Sequence, residues 1–191
     1  MIIADMSMSL DGFVAGPNMD KYNGLGDGGE HLHDWIFGGK SDAEVARFMN
    51  DRFANIGAVL MGRTMLDVGI GAWGDDPPFH APVFVLTHRP AEPIEKSGGT
   101  TFNFVTDGAD EAVRLAREAA RDRDIYVAGG AAIVQHYLHS GVIDEFKLHI
   151  VPVLLGGGTR MFDGPEGIGL ELATSGEVDD KGVAHLTMAI G

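Results

Sequence analysis

Short apolar runs closed by turn residues recur along the chain, and between them apolar positions fall at helical spacing. Ile2–Met8, Ala58–Met61, Val83–Thr87, Thr101–Val105, Ile125–Ala128 and Phe146–Leu155 read as buried strands. A last pair, near Leu170–Val178 and Gly182–Ile190, is joined by Asp179-Asp180-Lys181 and reads as an antiparallel hairpin. Ser41-Asp42-Ala43-Glu44 has the capping-box pattern, and Val45, Phe48, Met49 and Phe53 follow on one helical face. Ala112–Arg121 predicts a second helix, and Ala131–His139, closed by Gly141, a third. Strands alternating with helices predict an α/β fold around a mainly parallel sheet, made mixed by the terminal hairpin at one edge. No repeat, low-complexity tract or break in the alternation divides residues 1–191, so a single domain is expected.

Composition narrows the functions open to this fold. The 191 residues carry 14 Lys and Arg against 28 Asp and Glu, a formal charge of −14. So acidic a chain is a poor partner for nucleic acid or an anionic membrane, and any anion it holds must be gripped by local geometry. Cys is absent, which removes disulfides, thiolate metal sites and a Cys nucleophile, and fits a reducing cytoplasm. No stretch reaches the roughly 18 uncharged apolar residues of a spanning helix, and Asp5 interrupts the first apolar run before it could serve as a leader. A soluble, cytoplasmic protein is the expectation.

Glycine, at 28 residues, points to where chemistry could sit. The segment Asp11–Glu30 fits neither period and reads either as a lid over a ligand or as a disordered surface excursion. Within it, Gly24-Leu25-Gly26-Asp27-Gly28-Gly29 matches the dinucleotide fingerprint in letters only. No apolar strand precedes it, and Asp27 and Glu30 crowd the place of a pyrophosphate. Two other sites have the right context. Ile125-Tyr126-Val127-Ala128 runs into Gly129-Gly130 and the helix opening Ala131-Ala132-Ile133, where free amides can meet a phosphate. Ala58-Val59-Leu60-Met61 runs into Gly62-Arg63-Thr64, a glycine followed by a guanidinium and a hydroxyl. A third strand end delivers Thr87, His88 and Arg89. Each could be a plain turn or cap, but three on one side of a parallel sheet favour a phosphate-bearing cofactor.

These segments, taken in order with Ser9-Leu10-Asp11-Gly12-Phe13-Val14-Ala15, Ile143-Asp144-Glu145 and Pro152–Gly158, resemble the dihydrofolate reductase-like superfamily. They are most similar to the C-terminal reductase domain of the bifunctional riboflavin-biosynthesis deaminase–reductases. The resemblance implies a three-layer α/β/α fold with a mixed, mostly parallel central sheet and an antiparallel C-terminal hairpin. It also implies an NADPH-dependent reductase that transfers hydride to a small pterin-, folate- or pyrimidine-like heterocycle, in a homodimer. Carried over by position, Gly62, Arg63 and Thr64 would meet the adenine-side phosphates, and Thr87, His88 and Arg89 the 2′-phosphate. Gly129, Gly130, Ala131, Ala132 and Ile133 would cradle pyrophosphate and ribose, while Ala4, Val14 and Ala15 would line the nicotinamide.

The chain departs from that pattern in two places. Phe13 stands where the riboflavin-pathway reductases place a substrate-binding Lys, leaving Asp11, Phe13 and Trp35 as the substrate-side candidates. The Leu-Pro-Trp turn of folate reductases is replaced by His31-Leu32-His33-Asp34-Trp35, in which Asp34 would be the acid and Trp35 the pocket wall, or else an exposed carboxylate beside a core indole. The Pro-Cys-x-x-Cys segment of a zinc deaminase has no counterpart, so no deaminase half is expected. His31 with His33, and His136 with His139, lack the spacing and third ligand of a metal site, and none is expected. A non-catalytic nucleotide-binding or dimeric scaffold protein that keeps the fold is the reading opposed to the enzyme.

Overall fold

The computed structural model describes residues 1–163, 171–172 and 176–190. β1 (Ile2–Ser9) leads through a tight turn to β2 (Phe13–Ala15), then a single 3-10 turn (Gly29–His33), α1 (Asp34–Phe37) and α2 (Asp42–Phe53). β3 (Ile56–Gly62), α3 (Arg63–Trp73), β4 (Pro82–Leu86), β5 (Ile94–Glu95) and β6 (Thr101–Val105) follow. α4 (Ala109–Ala120), β7 (Asp124–Val127), α5 (Ala131–His139) and β8 (Glu145–Val151) complete the alternation. β9 (Thr159–Arg160), β10 (Glu171–Leu172), β11 (Glu177–Val178) and β12 (Ala184–Ala189) close the chain.

The main sheet runs β10-β12-β8-β1-β7-β3-β4-β6-β5, with β11 also on β12. From β8 to β6 all neighbours are parallel, and β12 and β5 add antiparallel partners at the two sides. Period-two alternation divides the core. Ile2, Ala4, Ala58, Leu60, Ile125 and Val127 face α4 and α5, through Ala112, Ala116, Val134 and Tyr137. Val59, Met61, Val83, Val85 and Tyr126 face Phe53 of α2 and Leu66 of α3 on the other side. The fold is thus the expected three-layer α/β/α arrangement.

The direction of the crossovers makes the site. Right-handed connections through α2 and α3 carry the chain from β1 to β3 to β4, and those through α4 and α5 return it to β7 and β8 on the opposite face. The chain leaving β7 therefore turns away from the chains leaving β1 and β3 on either side. Such reversals open a crevice at the carboxyl ends of the strands. Here β1 pairs with β7 only through Ile2, Ile3 and Ala4, and continues from Asp5 to Ser9 against β8 alone.

Several boundaries move for local reasons. The run read as Phe146–Leu155 ends at Val151, where Pro152 has no amide to donate. The helix read from Ala112 begins at Ala109, after Gly108 at φ 101°. The terminal hairpin turns at Asp179–Lys181 as expected, with Asp179 N–H donating to Val183 O at 3.0 Å, while Leu170 and residues 173–175 lie outside the described residues. The segment after Asp11 is an ordered excursion. Gly16 N–H donates to Leu25 O at 2.8 Å, Asp27 N–H to Pro17 O at 2.8 Å, and β2 pairs with β9.

Candidate active site

Three strand ends meet as the sequence predicts. β3 ends at Gly62, whose N–H donates to Gly129 O at 2.8 Å, so the openings of α3 and α5 stand side by side. Among the described residues a Cβ at Gly130 would meet nothing within 4 Å, so space lies open beside the first amides of α5. The Gly129–Gly130 peptide is cis. Arg63 Nε bonds Asp67 Oδ1 at 2.7 Å and Arg89 Nη2 bonds Asp67 Oδ2 at 3.2 Å, so one carboxylate gathers both guanidiniums. The Arg63 guanidinium also lies 5.5 Å from the Phe104 ring centroid. Thr87 is buried and its hydroxyl accepts from Arg89 N–H at 3.1 Å, fixing the turn that presents His88 and Arg89 to solvent. Thr64 and Ala132 are exposed at their helix openings, and Ala131 and Ile133 are buried beneath them.

Other expected residues are placed differently. Ala4 is fully enclosed between Val127 and Phe146, and it is Met6, two positions on, whose sulfur comes within 3.4 Å of where a Gly129 Cβ would stand. Val14 is half-buried and Ala15 buried, on the strand that pairs with β9. Asp11 is occupied: it accepts from Ser9 Oγ at 2.6 Å, Leu155 N–H at 3.1 Å and Gly156 N–H at 2.7 Å. The Ser9 hydrogen bond first, then the backbone amides, hold its carboxyl down at about 2. Phe13 is buried, and the Arg160 guanidinium stands 4.6 Å from its ring centroid.

Asp34 and Trp35 are adjacent in sequence and separated in space. The Asp34 side chain is 62% exposed and bonds His31 Nδ1 at 2.9 Å. Trp35 is buried: its Nε1 donates to Ser7 Oγ at 3.1 Å, and its ring lies 4.4 Å from that of His149 and 5.0 Å from that of His185. Among the described residues no group of three or more His, Asp or Glu is arranged to hold a metal ion.

Behind Trp35 lies a polar cluster that the sequence reading missed. Asp5 Oδ1 is 2.6 Å from Arg52 Nη2 and 2.9 Å from His149 Nε2. Arg52 Nη2 also donates to the Tyr126 hydroxyl at 3.2 Å. His149 Nδ1 lies 2.6 Å from His185 Nδ1, and His185 Nε2 lies 3.3 Å from Asp179 Oδ2. Burial pushes the Asp5 carboxyl up, but the His149 hydrogen bond and the Arg52 charge outweigh it and hold the group below the usual carboxylate range. His33, close by, has a buried Nδ1 with no partner among the described residues; burial first, then the Arg52 charge, pushes its ring down to about 4. One signal was present: Asp5, Ser7 and Ser9 sit at period two on one face of an apolar strand, where alternating apolar residues would be ordinary. The histidines gave none, because His149 and His185 meet only through the β8–β12 register.

A cavity of about 410 Å³, lined by Pro82 and residues 119–123, opens at the amino ends of the strands, away from all of these groups. The crevice beside β7 is the candidate site on topological grounds.

The sequence pattern of the RibD C-terminal domain matches residues 1–183. The chain belongs to the RibD C-terminal domain family. Its similarity to the uncharacterized protein YyaP of Bacillus subtilis (strain 168) is 28% identity over 171 residues, covering 84% of this chain and 79% of that one. Among solved structures, a candidate riboflavin-biosynthesis protein of Shewanella sp. PV-4 superposes with a TM-score of 0.72 at 23% identity, over 100% of this chain and 98% of that one. A dihydrofolate reductase of Enterococcus faecalis, solved with NADP(H) and RAB-propyl, superposes with a TM-score of 0.57 at 14% identity, over 99% and 95%. RibD-domain membership and these neighbours fix a dihydrofolate reductase-like, reductase-type fold.

Proposed function

We propose that this RibD-family chain is an NADPH-dependent reductase of a small pterin- or pyrimidine-like heterocycle, acting as a homodimer. The observation that carries the reading is the convergence of Gly62, Gly130, Arg63 and Arg89 on one crevice, with Gly62 N–H bonded to Gly129 O. The residues fit the cofactor. The vacant Cβ position at Gly130 leaves room for a diphosphate beside the α5 amides, and the two guanidiniums gathered on Asp67 offer charge for a 2′-phosphate. In a chain of charge −14, such local cations are what an anionic cofactor requires. The Enterococcus neighbour solved with NADP(H) lends the same support at the level of fold.

A bound reduced nicotinamide supplies hydride. The protein's own contribution is to orient the two reactants and keep water out, with Met6 beside Gly129 at the crevice. Titration with NADPH and NADH, followed by cofactor fluorescence, tests the reading. NADPH is expected to bind more tightly, and Arg63→Ala with Arg89→Ala to lower the NADPH-over-NADH preference by about tenfold or more, since one charge-assisted contact is worth roughly 1.5–3 kcal/mol. Failure of both cofactors to bind below millimolar concentration overturns it.

A further inference from the structure

Among the described residues, one buried side-chain nitrogen or oxygen has no hydrogen-bond partner, and it is Nδ1 of His33. By contrast, the polar side chains of β1 are all matched. Asp5 takes Arg52 and His149, Ser7 Oγ accepts from Trp35 Nε1, and Ser9 Oγ bonds Asp11 and the Phe13 amide. A buried polar atom without a partner is destabilising, and an apolar ring of the same shape would remove the penalty. The sequence keeps a histidine there, so the atom calls for an explanation in binding.

The fold fixes where this ring stands. The 3-10 turn that carries it packs on β1 and β2, and Leu32 of that turn is buried in one cluster with Trp35 and Ile36 of α1 and Val151 of β8. His33 is thereby held near enough to the Asp5 cluster for the Arg52, His149 and Asp5 charges to act on its ring. Asp5 is the first residue of β1 without a β7 partner, so the two strands begin to part next to that cluster. The His33 ring also lies 6.3 Å from that of Phe37, which is 49% exposed. A buried polar atom beside an uncovered aromatic ring suits a planar heterocycle with a hydrogen-bonding edge.

Charge narrows the ligand. Burial first, then the Arg52 charge, pushes the His33 ring down to about 4, so at neutral pH it offers an uncharged donor or acceptor. Arg52 is already paired with Asp5 at 2.6 Å. Neither group suits a phosphate or a carboxylate, whereas an uncharged polar edge matches both. We propose, resting on the reductase reading above, that His33 binds the substrate, its Nδ1 held for the lactam edge, the ring N–H beside a C=O that pterins and pyrimidinediones share. Its part is to fix the register of the heterocycle before hydride arrives. Asp34, the expected acid, faces solvent, and the residue before it takes the inward position.

Calorimetry with 7,8-dihydropterin and with 5-aminouracil, two probes without phosphate or carboxylate, tests this on the protein alone. One of them should bind below millimolar concentration, and which one does tells the pterin from the pyrimidine source. His33→Phe should weaken it by about tenfold or more, while its melting temperature stays at or above that of the wild type. His33→Asn, which keeps an amide near the Nδ1 position, should restore most of the affinity, and NADPH affinity should be the same in both variants. Nitrogen spectra of the histidine-labelled wild type should show the His33 Nδ1 resonance moving when the probe is added. An unchanged probe affinity in His33→Phe, or an Nδ1 resonance that the probe does not move, overturns the proposal and leaves a trapped water as the partner. Binding of NADPH with neither probe binding also overturns it, and leaves the reductase standing. Probe binding through His33 without any NADPH binding overturns the reductase reading and leaves His33 as a heterocycle-binding residue.

Discussion

Asp67 sets the behaviour of the two arginines at the candidate crevice, because it holds Arg63 and Arg89 at one spot. An arginine already ordered loses less side-chain freedom when it binds. His33 shows the opposite economy at the same scale, a ring pushed towards the neutral form with Nδ1 buried and unpaired among the described residues. Its pKa falls from 6.5 to about 4, so below pH 6.5 the unfolded chain takes up a proton that the folded one refuses. Stability should therefore fall as pH drops from about 6.5 to about 4, by up to roughly 3 kcal/mol. His31, raised by its hydrogen bond to Asp34, works in the other direction, but it is exposed and weakly coupled. Urea unfolding across this window should show the loss in the wild type and a flatter curve in His33→Gln. Parallel curves would mean that the ring is not held neutral.

At the scale of elements, the false dinucleotide fingerprint turns out to be a packing device. Gly26 has φ +70°, and a Cβ there would fall on the carbonyl of Gly16. The two chain segments approach so closely that Gly16 N–H reaches Leu25 O and Asp27 N–H reaches Pro17 O. Gly26→Ala should thus loosen the 11–30 excursion, at a cost of about 1–3 kcal/mol. Hydrogen exchange of the Gly16 and Asp27 amides is the measurement, and protection at the wild-type level would contradict the close approach. By contrast, α2 was legible from its first turn. Ser41 and Glu44 form the capping box that their spacing predicts, since caps are set by residues within one turn of each other.

For the whole molecule, the charge of −14 and the cation pair act over different distances. The long-range field would oppose the proposed anionic cofactor, whereas Arg63 and Arg89 would act on it in contact. Raising ionic strength from about 0.01 to 0.15 M shortens screening from roughly 30 to 8 Å, which removes more of the distant repulsion than of the local attraction. The association rate of NADPH should rise severalfold over that range in stopped-flow fluorescence. A fall would mean that the local cations dominate the approach as well.

What the sequence determined by itself was everything encoded over short separations. The strand and helix periods, the capping box, the three glycine-bearing strand ends and the hairpin turn all depend on residues within a few positions of each other. Those strand ends also announced the crevice, because parallel crossovers of one hand leave few ways to assemble them. Tertiary structure decided the rest. It made Asp11 a clamp on the β8–β9 connection, left Asp34 facing solvent and put Trp35 against the sheet. It also brought Asp5 to His149, 144 positions away, and His149 to His185 across a strand register. Hydrogen bonds between such distant residues exist only once the sheet has fixed its order, so no local pattern in the chain could carry them.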